Sequence, residues 1–504
     1  MQQKHIENAI LWYIPALWTS LFIAASVMQM WSFTINDFDF SIFLTQIWRV
    51  WNGWDWHAPF TEYYLGMPYW GEHFTPISAL LAPLIGPWKS PYAMSVLQAI
   101  STGFMIFLLP RLVRTIYRQE GDDSSSNWLW AAGILLVLVF VFRFVLAPWS
   151  RQVHFTTIAT SLLMLAVLYL HQRRWVLMGI CCLIVCMAEE RAALSIFSLG
   201  MYAFLLLEMR KTGMVLCTFS SIWFIGASQV WLPHALKMAG TSLHYRFQNY
   251  INIMGSWDKK FFYLFRIVAY SWFLPFFGKK AFLSLLCTAP FLGIVVVSDY
   301  PTIWGMNGQY EDLLAIFLLI SFCHAIIWLQ HNLPPRWQKQ ILTAGTITIV
   351  ITMFATQTGW YNPVATLARL SASPERTQYA RLHAVLNKLP DFPDDINVWV
   401  QSGLGPHLFF PYSRMAADSR RMNQKLEKAF VIISPIVGTM RLNGRDEDKK
   451  EVAYAEAKAV FDTHPDLEKI YENDVAVLYV SHDIRTQNTD FSNKIQQLIA
   501  SLQQ

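Results

Sequence analysis

The chain has 504 residues, 54% of them hydrophobic and only 14% charged, against roughly 25% charged in an average soluble domain. That composition excludes a purely soluble globular protein and marks a membrane protein diluted by a soluble part. The formal charge of +5 is modest and no long basic run accompanies it, so a nucleic-acid partner is not implied.

The six cysteines (Cys181, Cys182, Cys186, Cys217, Cys287, Cys323) all fall inside apolar runs. They read as small core hydrophobes, without the spacing of a disulfide framework or a zinc site. Many of the 22 Trp residues stand near the ends of apolar runs, among them Trp12, Trp31, Trp128, Trp149 and Trp175. The amphipathic indole prefers the headgroup layer there, which points to several spans rather than one anchor.

In chain order, Met1 to Asn8 is polar and the apolar run behind it continues to about Trp31 without a small-residue cleavage site. The expectation is a retained first helix, not a removed signal peptide. Directly after it comes Asn36-Asp37-Phe38-Asp39-Phe40-Ser41-Ile42-Phe43-Leu44-Thr45-Gln46, which sets two carboxylates at a membrane boundary. The loop at 33–90 is too long for a turn and too apolar for disorder. Phe40, Phe43, Leu44, Ile47, Trp48 and Trp51 recur at helical spacing with Gln46, Arg49 and Asn52 between them, the pattern of an amphipathic helix lying in the interface plane. A second flat helix is expected over Pro76 to Ile85, behind Gly71-Glu72-His73-Phe74.

About twenty apolar residues cross the hydrocarbon as a helix. About 11 runs meet or approach that length, near 10–32, 91–110, 128–147, 153–170, 175–188, 192–208, 213–232, 261–277, 281–298, 313–330 and 341–359. Lys and Arg fall in alternate connections: Arg111, Arg114 and Arg118; Arg173 and Arg174; Arg210 and Lys211; Lys279 and Lys280; Arg336 and Lys339. Positive loops stay cytoplasmic, so the N-terminus is expected in the cytoplasm and the C-terminus on the exported side of the plasma (inner) membrane.

The other face carries Asp37, Asp39, Glu62, Glu72 and His73, then Arg151 and His154, Glu189-Glu190-Arg191, His244 and Arg246, and Asp299, Tyr310, Glu311 and Asp312. Solvated loop residues would account for many of these. They suit Glu189-Glu190-Arg191 less well, because the three lie in a tight turn between apolar runs, where charge is costly unless paired or facing a water-filled cavity. Arg143, inside the third run near its exported end, either snorkels to the headgroups or holds the phosphate of a lipid.

Beyond 360 the composition changes. Residues 361–504 hold no spanning run, and Ile396 to Gln401, Ala429 to Ser434 and Val475 to Val480 read as strands flanked by helix-forming sequence such as Glu451 to Phe461. The expected architecture is an all-α polytopic membrane bundle over 1–360 followed by a small soluble α/β domain over 361–504. Gly403-Leu404-Gly405-Pro406 reads as a turn, not a phosphate-cradling helix start.

The order of Phe38-Asp39-Phe40-Ser41-Ile42-Phe43 with Gln46, Glu72-His73-Phe74-Thr75-Pro76, Leu81-Ala82-Pro83-Leu84, Leu97-Gln98, Val153-His154-Phe155, Glu189-Glu190-Arg191, Leu274-Pro275, Gln309-Tyr310 and Gly405-Pro406-His407-Leu408 resembles a family of polytopic prokaryotic membrane proteins filed as a domain of unknown function. That family is itself similar to the GT-C class of lipid-linked-sugar glycosyltransferases. The chain departs from the family pattern at Ser41, usually glycine, after His154, where an acidic residue usually follows, and at Glu189-Glu190-Arg191, usually Lys-Glu-Asp.

The resemblance implies transfer of a sugar from a polyprenyl-phosphate-linked donor to an envelope glycan, lipid or protein acceptor on the exported face. Such chemistry needs a carboxylate to deprotonate the acceptor and cationic or hydrogen-bonding groups to steady the leaving phosphate. Asp39 is the candidate base, Asp37 an alternative base or orienting group, and Glu190 the second acid. Gln46, His73, Arg143, Arg151, His154, Glu189, Arg191 and Tyr310 are candidates for donor or acceptor contacts; a helix-capping role is the competing reading of His73 and His154. Asp37, Asp39, Glu72 and His73 could supply metal ligands, but they lack compact ligand spacing, so the expectation is no metal and no cofactor beyond the lipid-linked donor. A lipid-linked-glycan transporter and a noncatalytic scaffold are the alternatives from other classes.

Overall fold

The structure is a computed structural model that describes residues 2–35, 38–52, 73–88, 90–121, 125–139, 142–151, 153–238, 255–298, 311–334, 336–337, 340, 344–345, 347, 362–393, 396–401, 403–408, 413–415, 425–437 and 447–503. In lipid every backbone amide must be paired within the segment, so apolar runs become helices. Four are long and apolar enough to cross a bilayer: α1 (Gln3–Trp31), α4 (Pro91–Gln119), α10 (Arg210–Ala235) and α14 (Asp312–Asn332). Between the first two lie α2 (Phe38–Trp51) and α3 (Ile77–Ile85), at the two places where flat helices are expected. Next come α5 (Ser125–Val139) and α6 (Arg143–Arg151), a pair bent by 42° that adds a fifth span if counted as one.

The shorter helices are α7 (Phe155–His171), α8 (Trp175–Cys186), α9 (Ala193–Leu205), α11 (Trp257–Tyr270), α12 (Lys279–Leu286) and α13 (Ala289–Val297). The described residues therefore give four or five spans by length and composition, where the sequence suggests about 11. The reason is local. The run at 261–277 ends in left-handed backbone at Trp272 (φ 48°) and Phe273 (φ 56°), and Gly278 (φ 95°) separates it from α12. The run at 281–298 is interrupted at Cys287 and Thr288, ahead of Pro290. Most of the run at 341–359 lies outside the described residues.

The chain forms two compact units. The first comprises Met1–Ala25, Trp70–Ile77 and Val96–Thr366. Within it, α14 is buried at every side chain from Asp312 to Ile327, as befits a helix that is apolar all round and packed among others. Helices α9 and α10 approach closely through Gly200 and Gly213. A Cβ on Gly200 would sit 2.9 Å from the Gly213 carbonyl oxygen, and one on Gly213 would sit 2.8 Å from that of Gly200. Small residues at such a crossing let backbones meet where no hydrophobic force separates helix from lipid.

The second unit comprises Ser26–Tyr69, Ser78–Ser95 and Leu367–Gln504. Its α/β part runs α15 (Pro363–Ser371), α16 (Arg376–Leu386), β1 (Asn397–Val400), α17 (Gly405–Leu408), β2 (Ser413–Met415), β3 (Ala429–Ile433), α18 (Glu447–Asp462), β4 (Leu467–Glu472), β5 (Val477–Ser481), α19 (His482–Gln487) and α20 (Thr489–Gln503). The sheet order is β2-β1-β3-β5-β4. β1 is parallel to β2 and β3, pairing Val398 with Phe430, while β5 is antiparallel to β3 and β4. The three predicted strands coincide with β1, β3 and β5. β4 carries Glu468, Lys469 and Glu472 and buries only Leu467, so its period-two signal is weak.

Phe33, 3% exposed, belongs to the core of this unit together with Leu382, Leu404, Leu408, Leu478 and Val480. Its ring stacks on His383 at 4.5 Å and tilts against His407 at 4.4 Å. Gly405-Pro406 opens the one-turn helix α17, which corrects the reading of this stretch as a turn alone. Proline is tolerated in a first helical turn because its missing N–H would have no partner there.

Candidate functional site

A group of ionisable side chains in the first unit lies at the N-terminal ends of α7, α9 and α14. The turn between α8 and α9 is tight, with Glu189 extended and Glu190 to Ala192 in one 3-10 turn. The segment at His73 and Phe74 is tied to that turn. His73 Nδ1 lies 2.9 Å from Glu190 Oε1, and the Phe74 amide donates to Glu190 Oε2 at 2.9 Å. Ile77 N–H donates to the Met187 carbonyl at 2.9 Å and completes the tie. Arg191 Nε lies 2.7 Å from Glu189 Oε1, and His73 Nδ1 lies 3.5 Å from the same oxygen.

His154 adjoins this group, with Nε2 4.0 Å from Glu189 Oε2. It caps α7, its Nδ1 accepting the Thr156 amide at 3.3 Å, while its own amide donates to Gln98 Oε1 at 2.7 Å. Gln98 Nε2 in turn donates to the Trp149 carbonyl at 3.3 Å. The helix-capping reading of His154 thus holds, and Gln98 serves to fasten α4 to the α6–α7 connection.

The N-terminus of α14 supplies a second acidic pair. Asp312 Oδ2 accepts from Thr156 Oγ1 at 2.6 Å and Thr157 Oγ1 at 3.0 Å, and Oδ1 accepts the Leu313 amide at 2.7 Å. Glu311 Oε1 accepts from the Tyr263 hydroxyl at 3.3 Å. The guanidinium of Arg143 lies over the Tyr270 ring, 5.5 Å from its centroid.

Burial pushes the Glu189 carboxyl above its ordinary range, with Arg191 and His73 pulling it back. Burial acts on Glu190 in the same direction, but the His73 charge, the His73 hydrogen bond and the Phe74 amide outweigh it and hold that carboxyl below its ordinary range. Two adjacent carboxylates thereby acquire opposite tendencies. Glu311 is pushed up to about 8 by burial and by Asp312, against the opposing charges of Arg191 and Arg143. Both arginines thus act on one acid of the cluster.

Of the residues singled out in the sequence, His73, His154, Glu189, Glu190 and Arg191 come together here, with Arg143 within electrostatic reach of Glu311. Asp39 lies in the first turn of α2, and Arg151 ends α6; the side chains of both are outside the described residues, as are Asp37, Glu72 and Tyr310 entirely. Gln46 is buried, 3% exposed, on α2 of the second unit. Glu311 and Asp312 carry no assigned role in the sequence reading, and Tyr263, Thr156 and Thr157 are not singled out at all. The available signal was an acidic pair at the very start of the most apolar span.

One turn past Arg191 an apolar cavity of about 450 Å³ opens among α9, α10 and α13. Leu194, Phe197, Met201, Phe224 and Pro290 line it.

A family model described as "Predicted membrane protein (DUF2079)" matches residues 29–409. No curated protein matches the chain. Among solved structures, the crystal structure of ArnT from Cupriavidus metallidurans bound to undecaprenyl phosphate is similar with a TM-score of 0.51 at 12% identity, over 92% of this chain and 97% of that one. ArnT from the same organism in the apo state gives 0.48 at 11%, over 92% and 98%. At 12% identity the first likeness is one of fold.

Proposed function

The chain belongs to the DUF2079 family of predicted membrane proteins, and from that premise we propose that it is a GT-C type glycosyltransferase. It moves a sugar from a polyprenyl-phosphate-linked donor to a cell-envelope acceptor. The observation that carries this reading is the convergence of His73, Glu189, Glu190 and Arg191, with Arg143 close enough to act on Glu311, at three helix N-termini. Helix N-termini and guanidinium groups favour a phosphate. The fold likeness to ArnT, a GT-C glycosyltransferase whose structure holds undecaprenyl phosphate, supports the same donor class.

In this reading Arg191 and Arg143 steady the leaving phosphate, and the lipid tail enters the cavity beside α9. A carboxylate, for which Asp39 is the candidate the sequence offers, takes the proton of the acceptor hydroxyl as the sugar C1–O bond to the phosphate breaks and the bond to the acceptor oxygen forms. Glu190, charged and held at both oxygens, keeps the His73 segment over the site. In this reading, with basic loops cytoplasmic, this end of the bundle faces the exported side of the plasma membrane.

The test is turnover of purified protein in lipid with polyprenyl-phosphate sugars and a panel of envelope acceptors. Acceptor-dependent release of polyprenyl phosphate supports the assignment. Movement of the intact lipid-linked sugar across the membrane, without transfer, would replace it with a transporter. Binding without either activity would leave a noncatalytic scaffold.

A further inference from the structure

We propose that the chain binds one divalent transition-metal ion, zinc or manganese, between His73, Glu189 and Glu190. The proposal stands whether or not the chain transfers sugar. One ligand atom from each of these three side chains lies within 4.8 Å of the other two. His73 Nδ1 is 2.9 Å from Glu190 Oε1 and 3.5 Å from Glu189 Oε1. Ligands bound tetrahedrally at zinc distances stand about 3.4 Å apart, so small side-chain shifts complete the set.

An ion pair alone does not account for the arrangement. Glu189 has a side chain 3% exposed, and its Oε2 atom has no hydrogen-bond partner among the described residues. His154 Nε2 is 4.0 Å from that oxygen, too far for a hydrogen bond. A buried carboxylate oxygen without a donor is destabilising, and a cation seated against Glu189 removes that defect.

The surroundings are also those of a metal centre. The Phe74 amide holds Glu190 Oε2 at 2.9 Å and Arg191 Nε holds Glu189 Oε1 at 2.7 Å, so both carboxylates are oriented from outside, as ligating groups usually are. One imidazole with two carboxylates suits zinc or manganese, whereas magnesium and calcium prefer oxygen alone. With both carboxylates ionised and His73 ligating as a neutral imidazole, the ion and Arg191 leave the group of His73, Glu189, Glu190 and Arg191 at a net charge of plus one. The fourth coordination position is left to water or an anionic ligand, and an anion would restore neutrality.

The experiment uses the full chain in nanodiscs, stripped with chelator and titrated with Mn²⁺ alone, the free aqueous ion being followed by electron paramagnetic resonance. Zn²⁺ competition is read in the same samples, and no sugar or lipid donor is present. The expected result is one ion per chain, displaced by Zn²⁺, with affinity at least about tenfold weaker in His73→Gln and in Glu189→Gln. Asp258→Asn, outside the cluster, keeps the wild-type affinity. Elution as a folded species is required of each variant, and His73→Gln decides the matter if Glu189→Gln fails to fold. Absence of stoichiometric uptake by the folded wild type overturns the proposal, as does equal uptake by wild type and His73→Gln. Either result leaves the donor-turnover assay unaffected.

Discussion

His73 Nδ1 and Glu190 Oε1 lie 2.9 Å apart although 117 positions separate the residues. The contact closes the segment before α3 onto the turn before α9. Glu190→Gln removes the charge that His73 faces. His73 is 39% exposed at its side chain, so the loss in stability is expected at about 1–2 kcal/mol, toward the low end for charge-assisted bonds. A double-mutant cycle with His73→Gln, read by thermal unfolding in lipid, measures the coupling; strict additivity would mean the two side chains do not interact.

Glu311 supplies a pH dependence. Burial and the neighbouring Asp312 raise its folded value from 4.5 to about 8, so the folded state holds a proton that the unfolded state has released. Its contribution to stability is complete below 4.5 and is lost as pH rises through about 8. The apparent melting temperature of the wild type should fall across that window. Glu311→Gln should flatten the slope, and an unchanged slope would remove Glu311 as its cause.

Asp39→Asn is expected to lower sugar transfer by about 10²-fold or more, the range for loss of a general base, while the protein still inserts and elutes as the wild type does. An acceptor-dependent rate equal to wild type would take Asp39 out of the mechanism.

Phe33 sits in the core of the second unit at 3% exposure. Phe33→Ala should cost about 3–5 kcal/mol within that unit. Limited proteolysis provides the readout, with faster cleavage in 367–504 and little change in helices α7 to α9. Equal cleavage rates would show that the ring is dispensable.

Gly200→Leu should force α9 and α10 apart, because even a Cβ would meet the Gly213 oxygen at 2.9 Å. Overpacking of this kind typically costs about 1–3 kcal/mol. Since α9 follows directly on Glu190 and Arg191, Mn²⁺ uptake should weaken in the same variant. Gly179→Leu, where an added Cβ meets nothing within 4 Å, is the matched control.

Helix positions were legible wherever the apolar run was long and uninterrupted, as in α4 and α14, and so were the central strands β1, β3 and β5. The breaks were harder to see. Left-handed backbone at Trp272 and Phe273 and the interruption at Cys287 and Thr288 divide runs whose hydropathy alone reads as continuous. The unusual cost of charge at Glu189-Glu190-Arg191 was visible too, since three ionisable residues in a tight apolar turn require partners.

That this is a multi-pass membrane protein with an α/β tail is legible from the residues alone, because hydropathy and period are properties of neighbouring residues. The sequence also carried the family signature across 29–409. Which polar groups meet is fixed by packing: His73 with Glu190 across 117 positions, and Thr156 with Asp312 across 156. A side-chain contact of 2.6 to 2.9 Å depends on how whole helices pack. No local pattern encodes that, and the pairing of distant acids, histidines and hydroxyls is therefore a product of the fold.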